Sequence, residues 1–172
     1  MYELSSGGPL FDFLRREVSN LTCSEYFEDV APGEYRRGVK CQNVESLTFA
    51  DASFDICTST EVFEHVADDA KGFSEIRRVL RKGGFFVFTV PLSQAARTVE
   101  RAAVRNGSVE YLLPPTYHDD RLQGRGQVLV FRDYGLDITR RLERAGFSNA
   151  EIDVRFEKTF LGFGQRVVVA RV

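Results

Sequence analysis

The chain has 172 residues, 43% of them hydrophobic, with 15 phenylalanines and a formal net charge of −2. That length suits one domain able to bury a substantial core without disulfide or metal staples. The slightly acidic balance gives no electrostatic reason to expect DNA or RNA, and the basic pairs Arg15-Arg16, Arg36-Arg37, Arg77-Arg78 and Arg140-Arg141 are scattered rather than striped.

Met1 to Ser5 reads as the end of a strand. Pro9 suits the first turn of a helix running to about Val18, with Leu10, Phe13, Leu14 and Val18 on one side. Asn20 to Tyr26 reads as a strand, and about twelve residues rich in Gly, Pro and charge join it to another at Val39 to Gln42, too few for a full crossover helix. Phe54 to Thr58 is a short apolar run with β-branched character. Asp68 to Lys82 has helical spacing, with acids in its first turn, Arg77, Arg78, Arg81 and Lys82 in its last, and Gly83 as its stop. Gly84 to Val90 is a second apolar run, so this strand–helix–strand unit implies a parallel sheet. Ligands of such sheets lie beyond the carboxyl ends of the strands, where Thr58, Ser59, Thr60 and Glu61 fall.

Residues 92–128 break the alternation. Ser93 to Arg105 is expected to be helical, followed by turn-rich pieces at Asn106-Gly107, 113–118 and Gly124-Arg125-Gly126. A helix at about Tyr134 to Ala145, stopped by Gly146, and strands at Glu151 to Phe156 and Gln165 to Val172 complete the pattern. Cys23, Cys41 and Cys57 all fall in expected strands without metal-ligand spacing, which points to small buried thiols in a reducing compartment. No apolar run approaches a membrane span, and the chain is expected to be soluble and cytoplasmic.

Phe54-Asp55, Ser59, Glu61 and Glu64-His65, followed by the 78–84 run Arg-Val-Leu-Arg-Lys-Gly-Gly and by Pro91, resemble the fourth and fifth strands of class I S-adenosylmethionine-dependent methyltransferases. The resemblance covers residues 1–91 and 131–172. It implies an α/β, Rossmann-like, mostly parallel sheet of about seven strands. The last strand is antiparallel, helices lie on both faces, and an insert at 92–128 follows strand five on the substrate side of a single domain. It also implies S-adenosylmethionine as cofactor, a small-molecule acceptor and no membrane. In relatives a helix upstream of the first strand folds over the cofactor; here the sequence begins at or inside that strand, as expected of a misplaced start, a truncated piece or a trimmed member.

The same resemblance suggests cofactor residues. Glu25, in Ser24-Glu25-Tyr26 and 18 residues after Gly7, stands where an acid accepts both ribose hydroxyls. Glu3, Ser5 and Gly7 occupy the place of the family's acid-x-Gly-x-Gly-x-Gly turn, with Ser5 for the first glycine and Pro9 for the third. Gly7-Gly8 keeps close backbone approach and positive φ available. Asn43 stands where an Asp commonly accepts from the adenine amino group, Val44 where a side chain covers the ring, and Thr58, Ser59 and Glu61 near the methionine part.

Methyl transfer is an in-line displacement that needs alignment above all; it requires no metal, and none is expected. A base helps only where the acceptor must lose a proton. His118, in the insert beside Tyr117, Asp119 and Asp120, is the first candidate for that role, and His65 the second. Tyr111, Leu112, Leu113 and Tyr117 could line an acceptor pocket or form a core under the insert. A catalytically inactive ligand-binding module on the same fold is the alternative. A nicotinamide-dependent oxidoreductase would need a Gly-x-Gly-x-x-Gly turn, which residues 5–10 do not supply.

Overall fold

A computed structural model describes residues 1–120, 126–154 and 166–172. The first half runs β1 (Tyr2–Glu3), α1 (Pro9–Glu17), β2 (Thr22–Glu25), β3 (Tyr35–Arg36), β4 (Val39–Cys41) and β5 (Phe54–Thr60). A 3₁₀ turn at Phe63–His65 leads into α2 (Asp69–Val79) and β6 (Leu80–Thr89). Six short strands follow: β7 (Val99–Glu100), β8 (Ala102–Arg105), β9 (Ser108–Tyr111), β10 (Tyr117–Asp120), β11 (Gly126–Leu129) and β12 (Arg132–Asp133). α3 (Ile138–Arg144), β13 (Asn149–Val154) and β14 (Arg166–Arg171) complete the order.

Eight strands make one sheet in the order β13-β14-β6-β5-β1-β2-β4-β3. β4, β2, β1, β5 and β6 are parallel, while β14 runs antiparallel to β6 and β13 antiparallel to β14. All seven expected strands are therefore present, with β14 the one reversed. The eighth, β3, pairs antiparallel with β4 through a two-residue turn. Both residues of that turn, Arg37 and Gly38, have positive φ (50° and 81°), the geometry that matches strand twist. The expected strand positions Phe156 and Gln165, and Gly124 in the insert, lie outside the described residues.

The core forms where the alternation of β6 meets α2. Phe86 and Phe88 point inward and are buried, whereas Phe85 between strand and solvent is exposed. Phe63 stacks on Phe73 of α2 with centroids 4.5 Å apart, and Phe86 on Phe88 at 4.3 Å. α2 and α3 pack together and against β6, β13 and β14. Of the apolar side of α1, only Leu14 is buried; Leu10 and Phe13 are exposed and Val18 is half-buried.

Three helix expectations need correction. α2 stops at Val79 rather than Lys82, because Leu80 already pairs with Phe54 as the first residue of β6. The register between β5 and β6 shifts there, and a Cβ on Gly84 would lie 2.8 Å from the carbonyl oxygens of Arg81 and Asp55. That crossing admits only glycine, so the glycines serve a strand irregularity instead of a helix stop. α3 begins at Ile138 rather than near Tyr134. Tyr134 is instead buried in a bridge to Leu92.

The third correction concerns Ser93 to Arg105, which holds no helix. β7 pairs with β12, and β8 with β9 across Asn106-Gly107. Both turn residues have positive φ (50° and 77°), so the Asn-Gly hairpin signal overrides the helix propensity of the alanines before it. Asp137 Oδ1 anchors the insert by accepting from the backbone N–H and hydroxyl of Thr98, each at 2.7 Å.

Candidate active site

The carboxyl ends of the parallel strands converge at one edge of the sheet. Glu3 of β1 pairs laterally with Cys23 of β2 and Thr58 of β5, so the loops after all three strands leave on the same side. The loop after β1 is short. Gly8 (φ 95°) caps α1 and Pro9 takes its first position, where a missing N–H costs nothing. A Cβ on Gly7 would meet nothing within 4 Å, which leaves room for a ligand to approach that backbone.

Glu25 ends β2, almost fully buried, and its Oε1 accepts from the Ser6 backbone N–H at 2.9 Å. The β1 loop and the acid that ends β2 thus meet directly. Glu3 takes a different place. It is fully buried; Oε1 accepts from the backbone N–H and hydroxyl of Ser5, and Oε2 from Thr58 Oγ1. Burial raises the Glu3 carboxyl above its ordinary range, and the bonds from Thr58 and Ser5 oppose that. Glu3, Ser5 and Thr58 therefore brace one another.

Tyr26, the next residue, is exposed. Asn43 Oδ1 accepts from the Glu45 N–H at 2.9 Å, closing its own turn after β4. Val44 is half-buried against the core beside Gly72 of α2. Ser59 is buried, and its hydroxyl has no hydrogen-bond partner among the described residues. Glu61 is exposed with a left-handed backbone (φ 52°), its N–H bonded to Thr89 O at 3.0 Å. A strained residue at this strand end marks the turn where chain direction is forced.

Beyond Glu61 the 3₁₀ turn presents Glu64 and His65, and the hairpin of β10 and β11 brings His118 to them. His65 Nδ1 lies 2.8 Å from Leu129 O, and since a carbonyl only accepts, Nδ1 carries the proton. Glu64 Oε1 lies 3.7 Å from both His65 Nε2 and His118 Nδ1. The two imidazole rings meet edge to face with centroids 5.0 Å apart. Glu64 is 1% exposed, and neither carboxylate oxygen has a hydrogen-bond partner among the described residues. Burial pushes its carboxyl up to about 8; Glu61 adds to the rise and Arg132 opposes it.

Both histidines singled out in the sequence are thus together. Glu64 between them was missed as a site residue, since a glutamate followed by a histidine does not announce burial. Arg132 was missed too. Almost fully buried, it donates to the carbonyls of Phe63 (3.1 Å), Val66 (2.5 Å) and Ala67 (2.8 Å) and to Glu100 (3.1 Å), which fixes the turn holding Glu64 and His65. An arginine directly after the apolar run Val128 to Phe131 was the available signal. Tyr111, Leu112, Leu113 and Tyr117 are exposed, which excludes the reading of them as a core.

Residues 5–88 match the family described as a methyltransferase domain. A dimethylglycine N-methyltransferase of Parasynechococcus marenigrum is 43% identical over 49 residues, which are 28% of this chain and 18% of that protein. An S-adenosylmethionine-dependent methyltransferase structure from Mesorhizobium loti superposes with a TM-score of 0.62 at 18% identity, covering 99% of this chain and 90% of that one. The Burkholderia thailandensis 1,6-didemethyltoxoflavin-N1-methyltransferase, solved with its substrate and S-adenosylhomocysteine, has a TM-score of 0.55 at 18% identity, over 99% of this chain and 69% of that one. The chain aligns with only 18% to 34% of the length of the curated relatives it matches. The strand order, the reversed β14 and the superposed structures agree: the chain has the fold of S-adenosylmethionine-dependent methyltransferases, and its residues 5–88 are similar to the methyltransferase-domain family.

Proposed function

We propose that this domain transfers a methyl group from S-adenosylmethionine to an oxygen or nitrogen of a small-molecule acceptor. The observation that carries the reading is Glu25, whose carboxylate closes β2 beside the Ser6-Gly7 loop on a class I sheet. When bound, the cofactor supplies a methyl carbon already activated by positive sulfur. Glu25 holds the ribose diol, the Ser5 to Gly7 backbone approaches the amino acid part, and Tyr26, Asn43 and Val44 flank the adenine. Glu3 and Thr58 keep the loop in place from beneath, while Ser59 and Glu61 line the methionine side. The relative and the structure named for N-methylation of small molecules support the acceptor class.

Residues 92–120 and 126–128 form the acceptor side. We place the acceptor against Glu64, His65 and His118, which act on it as one cluster, with Tyr111 and Tyr117 exposed nearby on the same insert. Alignment of nucleophile and methyl carbon supplies most of the acceleration. The three unpaired cysteines suit a cytoplasmic setting, and no helix among the described residues is long and apolar enough to cross a membrane.

A ligand-binding module without turnover is the second reading, favoured by Ser6 already occupying one Glu25 oxygen. Transfer of labelled methyl from S-adenosylmethionine to a panel of small amines, carboxylates and alcohols separates the two. Glu25→Ala is expected to weaken S-adenosylhomocysteine binding by about tenfold or more, the loss of one or two charge-assisted hydrogen bonds, with the fold intact by circular dichroism. Unchanged affinity in calorimetry overturns the placement of the ribose.

A further inference from the structure

We propose that Glu64, His65 and His118 bind one divalent transition-metal ion, of which zinc is the reference case. The three offer two imidazole nitrogens and a carboxylate oxygen, all within 4.8 Å of one another. That donor set suits zinc, cobalt, nickel or ferrous iron, and without a thiolate it does not suit cuprous copper.

The distances are close to those an ion imposes. Ligand atoms about 2.0–2.1 Å from a tetrahedral centre are ~3.3–3.4 Å apart. Glu64 Oε1 stands 3.7 Å from each imidazole nitrogen, a few tenths of an ångström from that spacing, and all three donors lie within 4.8 Å of one another, so the imidazoles close on an ion by at most about 1.5 Å. The same 3.7 Å is too long for a hydrogen bond, so the histidines do not satisfy the carboxylate. A carboxylate 1% exposed with both oxygens unpartnered among the described residues is a costly arrangement, and a bound cation is what relieves it.

The surroundings are those of a ligating shell. Donation from His65 Nδ1 to Leu129 O fixes the tautomer that turns the lone pair of Nε2 toward Glu64. Phe131 N–H donates to Glu64 O at 2.8 Å, and Arg132 holds the carbonyls of the same turn, so two ligands sit on a rigid segment. The third comes from β10, where His118 pairs with Val128 of β11. The two rings meet edge to face with centroids 5.0 Å apart rather than stacking.

Three protein ligands leave a coordination position open, as in zinc sites that engage a substrate or water rather than closed structural ones. His118 is partly exposed, which places that opening on the solvent side. An oxygen or nitrogen of the acceptor bound there would lose its proton to water more readily and keep a lone pair for the methyl carbon. This use of the ion rests on the methyltransferase reading; the ion site itself does not.

The test uses the full chain stripped with a chelator. Cobalt(II) titration is followed by visible absorption, and zinc binding by calorimetry. The wild type is expected to bind one ion per chain with a tetrahedral cobalt spectrum, and His118→Ala to weaken binding by about 100-fold, Glu64→Gln by about tenfold or more. Circular dichroism checks that each variant folds. Wild-type binding weaker than millimolar, or zinc affinity unchanged in His118→Ala, overturns the site. S-adenosylhomocysteine titration of the same samples separates the two claims: cofactor binding without metal binding refutes the ion alone, and the reverse refutes the cofactor reading alone.

Discussion

Arg132→Ala is expected to cost about 3–5 kcal/mol of folding stability, the effect of removing one member of a buried ionic network. The guanidinium supplies hydrogen bonds to three carbonyls and to Glu100, lies 3.7 Å from Asp69, and sits over the Tyr134 ring. Its loss leaves the carbonyls of Val66 and Ala67 without a described side-chain donor, while Phe63 O keeps the Val66 N–H at 3.2 Å and the Tyr134 hydroxyl at 3.4 Å. Asp69 keeps Arg141 and the Tyr134 hydroxyl at 2.9 Å, so the damage concentrates at the turn carrying Glu64 and His65. For a domain of this size the melting temperature falls on the order of 10 °C. Urea unfolding with a loss below about 1 kcal/mol would contradict the role given to this side chain.

The second large effect concerns pH. In the metal-free folded protein Glu64 keeps its proton up to about pH 8, whereas the unfolded chain releases it near 4.5. Between those values the folded state binds more protons, so this contribution is whole below the unfolded value and is lost as pH rises through 8. The side chain is fully buried, and the whole shift corresponds to roughly 5 kcal/mol. Glu64→Gln keeps the shape and removes the titration. Its stability relative to the wild type is expected to rise by about 3–4 kcal/mol between pH 5 and 8.5 in chelator. His65, His118, Glu61 and Arg132 face the same group in both proteins, so the difference isolates Glu64. A difference that stays flat across that range would show that Glu64 is ionised in the fold.

What the sequence revealed divides along the line between local and long-range determinants. The parallel core was legible because β5, α2 and β6 each carry their own period and punctuation, and all three cysteines fall on the strands expected. The place of Glu25 at the end of β2 was legible from the strand pattern. The insert was not. Alanine-rich residues before Arg105 have helix propensity, but Glu100 and Val99 pair with β12, some thirty residues later, and that contact decides the conformation. The end of α2 was misplaced for the same reason, since Leu80 follows its partner Phe54 rather than the helix. Glu64, His65 and His118 form a cluster only because β10 and β11 fold back over the 3₁₀ turn, 53 residues separating the two histidines in sequence. No local signal carries that meeting.

The most direct measurement is thermal unfolding of the chain with and without S-adenosylhomocysteine, the product that fills the site around Glu25. At about 100 times its dissociation constant a ligand adds ~2.7 kcal/mol, which raises the melting temperature of a domain this size by roughly 5–10 °C. A shift of that order, reduced in Glu25→Ala, is the expected result. An unchanged melting temperature at millimolar ligand would contradict a cofactor site at the ends of β1 and β2.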